Sequence, residues 1–226
     1  MKTRRSAPLH PLAFTLMELL VVVAIIGILA ALLFPAGAAI KKQATIKKAR
    51  VELQKLVLAI NAYKTKFGYY PPDHPLNPAG IDLLQNSLYF ELSGVTNDAA
   101  SSSYQTLDGA ARIPTANVQA AFGQGSILNC AKGGDDNGQP AVPFIRDLKP
   151  GQYTTNATIR LLTCSVAWPS AERGELIPGI GNANPWRYML TGATNTPGQY
   201  DLWVDLILSG KTYRIGNWSE TPEIFP

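Results

Sequence analysis

The chain has 226 residues, 46% apolar by type and 16% charged, with a formal net charge of +4. The basic excess is confined to residues 1–50, where eight Lys and Arg face one acid, Glu18; from Val51 onward 12 basic residues face 15 acidic ones. A mildly acidic remainder gives no electrostatic support to a nucleic-acid-binding role, and its length suffices for one compact core.

Residues 1–13, MKTRRSAPLHPLA, form a basic leader with two prolines. It resembles the n-region of a signal peptide, except that the apolar run follows the small residue Ala13 at its end. Residues 14–40 contain that run, uncharged from Leu19 to Ile40 and interrupted by Pro35. About 20 apolar residues in a helix span the ~30 Å core of a bilayer, so the expectation is a transmembrane half-helix over 14–40. Basic residues flank it on both sides, so charge alone does not orient it.

Beyond it the period changes without a break. Ile46, Ala49, Leu53, Leu56, Val57, Ile60, Tyr63 and Phe67 step by three and four, predicting an amphipathic helical half over 41–67. Gly68 and Pro71-Pro72 end it. One helix from Phe14 to Phe67 would be ~80 Å long.

The remainder, 68–226, reads as a globular domain. Ile81 to Leu92 predicts a short helix, and residues 96–147, rich in Gly, Ser, Asn, Asp and Pro, predict an irregular inserted lobe within about 93–167. Thr158 to Ala167 has the β-branched content of a strand. Arg187 to Leu190, Tyr200 to Leu208 and Thr212 to Trp218, separated by turn signals at 196–198 and 209–211, predict a three-stranded antiparallel sheet. The fold expected is α+β: a long N-terminal helix, transmembrane then amphipathic, packed on a small C-terminal antiparallel sheet with the lobe between.

Phe14-Thr15-Leu16-Met17-Glu18-Leu19-Leu20, with Pro35 further on, resembles the processing and methylation site of type IV pilins and type II secretion pseudopilins. Lys66-Phe67-Gly68-Tyr69-Tyr70-Pro71-Pro72, Asn184-Pro185-Trp186-Arg187-Tyr188, Gln199-Tyr200-Asp201-Leu202 and Ile215-Gly216-Asn217-Trp218 are similar, in order, to pieces of the major pseudopilins. The resemblance covers about 100 residues at the two ends, and Ala13 stands where the family usually has Gly. It implies cleavage by a prepilin peptidase between Ala13 and Phe14, N-methylation of Phe14, a helix bend at Pro35, and assembly through Glu18 facing the new α-amino group of a neighbouring subunit. It further implies partners among copies of the chain and minor pseudopilins, and a single pass through a bacterial inner membrane. The leader would be cytoplasmic and the C-terminal domain periplasmic.

Other chemistry finds little footing. His10 and His74 are the only histidines, and no nucleophile elbow or phosphate-binding Gly-Lys-Ser/Thr loop occurs, so no enzyme and no cofactor is expected. Asp135-Asp136-Asn137-Gly138 lacks the spacing of a calcium loop, and Asp201 and Asp205, four apart on a strand, share a face without forming a cage. The family's acidic calcium loop is replaced by apolar residues and Lys211, so no metal site is carried over. Cys130 and Cys164 are either a disulfide, contributing roughly 3–4 kcal/mol by loop closure, or two separate thiols. The tryptophans at 168, 186, 203 and 218 are read as packing residues rather than a carbohydrate platform. The functional expectation is a pseudopilin-like subunit of a type II secretion fibre. A type IV or minor pilin is the alternative, and a membrane-anchored extracytoplasmic binding protein the second.

Overall fold

The computed structural model describes residues 15–74, 83–98, 100–131 and 140–226, with the backbone alone at 31–38. The leader, Ala13, Phe14, the side chain of Pro35, residues 81–82 and Asp135-Asp136 lie outside the described residues. The chain divides into two compact units, Met1–Gln43 and Ala44–Pro226, and helix α1 (Leu16–Phe67) contributes to both.

In the first unit α1 opens on a reciprocal cap. The Thr15 backbone N–H donates to Glu18 Oε2 at 2.9 Å, and the Thr15 hydroxyl donates to the same oxygen at 2.8 Å. The Glu18 N–H donates back to Thr15 Oγ1 at 3.2 Å. This Thr-x-x-Glu box satisfies backbone donors that the first helical turn leaves without intrahelical partners. The side chains that follow are apolar and exposed on every side, from Leu16 at 81% to Leu29 at 55%.

Among the described residues no helix is long and apolar enough to cross a membrane. This overturns the expected transmembrane half over 14–40, and with it the expected single-pass inner-membrane placement with a periplasmic C-terminal domain.

In the second unit the periodic face of α1 turns inward. Ile46, Ala49, Leu53, Leu56, Ile60 and Tyr63 are buried, joined by Ala59, while Val57 and Phe67 are half-buried. A side chain of Leu or Ile size contributes about 1.5–3 kcal/mol when fully buried, so this face holds the helix to its domain. The helix stops at Gly68, whose φ of 86° suits a left-handed cap and whose N–H reaches the Lys64 carbonyl at 2.8 Å.

Three sheets share the unit, which corrects the expectation of one C-terminal sheet beside an irregular lobe. Helix α2 (Leu88–Ser93) is buried along its length. It leads into β1 (Val95–Asp98), β2 (Ser103–Thr106) and β3 (Arg112–Pro114), an antiparallel meander. Helix α3 (Thr115–Phe122) follows, then β4 (Cys130–Ala131), which pairs parallel to β1 to give the order β3-β2-β1-β4. β5 (Tyr153–Asn156), β6 (Ile159–Cys164) and, past the single-turn α4 (Ser170–Arg173), β7 (Asn184–Pro185) form the second sheet. The strand read at Thr158 to Ala167 is β6. Short strands spaced by Gly, Asn and Asp turns hide in a composition that looks irregular, because most bury few side chains: none in β4 or β5, and Ile113 alone in β3.

The C-terminal sheet has four strands, β8 (Arg187–Met189), β9 (Asp201–Leu208), β10 (Lys211–Gly216) and β11 (Glu223–Phe225), in the order β11-β10-β9-β8. β9 and β10 close on Ser209-Gly210 with φ of 53° and 76°, the two-residue geometry that matches strand twist. Leu202, Val204, Leu206, Tyr213, Ile215 and Tyr188 fall in one buried cluster with the inner face of α1.

Candidate functional site

The sequence-predicted residues divide between the two units. Glu18 belongs to the first and has a role the sequence reading missed: it is the fourth residue of the capping box with Thr15. The signal was present as Thr15-x-x-Glu18 ahead of an apolar run. Both bonds that Glu18 accepts converge on Oε2, so one carboxylate simultaneously caps its own helix and stands at the head of an uncovered apolar surface.

In the second unit the carboxylates act as internal fasteners. Asp201, fully buried at the start of β9, accepts from the backbone N–H groups of Thr194, Asn195 and Thr196 at 3.0–3.1 Å, and from the Asn195 amide and Thr196 hydroxyl. Asp205 receives the Arg214 guanidinium at 2.8 and 3.2 Å and lies 3.7 Å from Arg187. Burial pushes Arg187 below the usual guanidinium range while Asp205 works in the opposite direction; Asp205 bonding holds Arg214 above it. The two aspartates are thus occupied by protein groups, and the described residues contain no cluster of three or more His, Cys, Asp or Glu able to hold a metal.

Three further carboxylates escaped the sequence reading. Asp73, next to His74, accepts from the N–H groups of Leu190 and Thr191 at 2.8 and 2.7 Å and ties the segment after α1 to the end of β8. Glu52 looks like a member of the polar face of α1 but is buried, and it accepts from the Ser165 N–H at 2.9 Å and from its hydroxyl. Glu91 is wholly buried in α2 and accepts from the N–H groups of Leu128 and Asn129 at 2.9 and 3.0 Å and from the Tyr63 hydroxyl at 3.0 Å. Burial raises its pKa above the ordinary carboxylate range against the opposing effect of those three bonds. Such pairs are invisible to local reading because the partners lie far apart in sequence.

Cys130 is half-buried in β4 and Cys164 is buried in β6, both as thiols. Burial pushes the Cys164 thiol up to about 12, leaving it protonated and unreactive at neutral pH. Trp186 is core, and Trp203 meets Trp218 edge-on at 5.9 Å. The described surface offers an uncovered apolar helix in the first unit and grooves beside α1 in the second. No protein-family model, no curated protein and no solved structure matches the chain.

Proposed function

We propose that the chain is a pseudopilin-like structural subunit of a type II secretion fibre, cut by a prepilin peptidase between Ala13 and Phe14 and assembled through α1 with copies of itself and with minor pseudopilins. The observation that carries this reading is the sequence Phe14-Thr15-Leu16-Met17-Glu18 together with a helix start capped by Thr15 and Glu18, whose apolar side chains over 16–29 are exposed. Each Leu, Ile or Val left in water forgoes about 1.5–3 kcal/mol of burial, so residues 16–29 carry a strong drive toward packing against like helices. The same patch contacting a different patch on each successive neighbour builds an open filament rather than a closed ring. Glu18 sets the register by meeting the α-amino group of a neighbouring Phe14, while Thr15 maintains the helix start.

Mass spectrometry of the mature N-terminus tests this. An N-methylated Phe14 is the expected result; an intact Met1, or a first residue beyond Ile40, overturns it.

A further inference from the structure

Charge in the second unit is segregated. The α1 residues 44–67 hold six basic side chains against one acid, and residues 68–226 hold nine basic against fourteen acidic. The excess on the helix gathers in a groove of about 440 Å³ whose lining includes Lys47, Lys48, Lys55 and Lys149 beside the apolar Val51 and Pro150. Among the described residues none of the four lysines is in an ion pair, and the one acid of the groove, Glu52, is committed to Ser165.

On the other flank of α1 lies the chain's C-terminal edge. At 3.6 residues per turn Lys48, Glu52 and Lys55 occupy one flank, Arg50, Leu53 and Val57 the other, and Val51 and Leu58, both exposed, the ridge between. Arg50 Nη1 donates to the Ser219 carbonyl at 2.8 Å, which seats the 219–226 segment there. That segment presents Glu220, exposed, then Glu223, half-buried and accepting from the Trp218 indole N–H at 2.9 Å, and Ile224 and Phe225, 57% and 40% exposed, on the edge strand β11. It is acidic and apolar where the groove is basic and apolar.

We propose that the lysine groove receives the Glu220–Phe225 edge of a second copy of this chain. Groove and edge are different patches on opposite flanks of one helix, so the edge of each copy enters the groove of the next, and both ends of the row stay open. The inference rests on the filament reading and assigns its lateral contact. Because the four lysines and Glu220 are exposed, the contact weakens as salt rises. An unpaired β11 edge with two exposed apolar side chains gains cover in the same step.

The test mixes 14N- and 15N-labelled full-length chains, couples lysines to carboxylates with a zero-length carbodiimide, and identifies mixed-isotope products by mass spectrometry. Links from Lys47, Lys48, Lys55 or Lys149 to Glu220 or Glu223 between copies are expected. Lys48→Glu with Lys149→Glu, or Glu220→Lys alone, should each weaken self-association by about tenfold by sedimentation. The combined charge swap should recover most of it. All three positions are exposed, so folding is not at issue. Assembly that proceeds undiminished in the reversal variants, or a swap without recovery, overturns the lateral contact and leaves the filament reading standing. A full-length chain that does not self-associate overturns both.

Discussion

The two parts of α1 have the same backbone conformation and opposite relations to water. Over 16–29 every apolar side chain described is exposed, whereas over 46–63 Ile46, Ala49, Leu53, Leu56, Ile60 and Tyr63 are buried to 7% or less. A helix needs its hydrogen bonds only from itself, but it needs a neighbour to hide its side chains. The second part finds that neighbour within its own chain, in the sheets. The first part shows none among the described residues.

This contrast is broken most sharply by paired truncations. Ile60→Ala empties a wholly buried position and should cost about 2–5 kcal/mol in denaturant unfolding of the full-length chain. Leu20→Ala, at 62% exposure, should lie within about 0.5 kcal/mol in the same assay and yet reduce self-association strongly. Equal losses of stability from the two would refute the division between them.

A smaller effect probes the buried fastener between α1 and α2. Glu91→Gln leaves an amide N–H₂ facing the donors of Leu128, Asn129 and Tyr63, and should cost about 1–3 kcal/mol at neutral pH. The pKa of Glu91 is raised in the folded protein, so between the ordinary value of 4.5 and that raised value the folded state binds more protons than the unfolded one. The contribution of wild-type Glu91 is therefore fully present below 4.5 and declines as pH rises through the native pKa. Its advantage over Gln should grow on acidification toward 4.5; chemical denaturation series in which the advantage shrinks would contradict the assignment.

The smallest effect belongs to the head of the helix. Thr15→Ala removes both the Thr15 hydroxyl bond to Glu18 and the acceptor for the Glu18 N–H. About 0.5–2 kcal/mol of local helix stability is at stake, read as faster amide exchange over 16–19 with no change in the buried residues of 46–63. Unaltered exchange would show that the cap does not hold that end.

Much of the helix was legible because its signals are local: three-and-four spacing from Ile46 to Phe67, then Gly68 and Pro71-Pro72 as a stop. The hairpin at Ser209-Gly210 was legible for the same reason, since two turn residues between apolar runs specify it. The middle of the chain was not. β1 to β5 are four residues or fewer and are completed by partners such as Cys130 beside Val95, a pairing across a loop that no local pattern announces. β11 was missed because an edge strand of three residues carries no alternation long enough to read.

By itself the sequence determined the inward face of α1 over 46–67 and its stop, the turn at Ser209-Gly210, and that its basic charge is concentrated toward its first third. Those properties depend on neighbours within a few positions or on composition alone. Only the tertiary structure decided that Glu52 and Glu91 are core fasteners, that Asp201 and Asp205 are occupied by their own chain, and that a lysine groove and an acidic edge lie on opposite flanks of one helix. Each of these depends on long-range contacts, and burial, which sets the cost of a charge and the worth of a hydrogen bond, is a property of the packed chain rather than of any one residue.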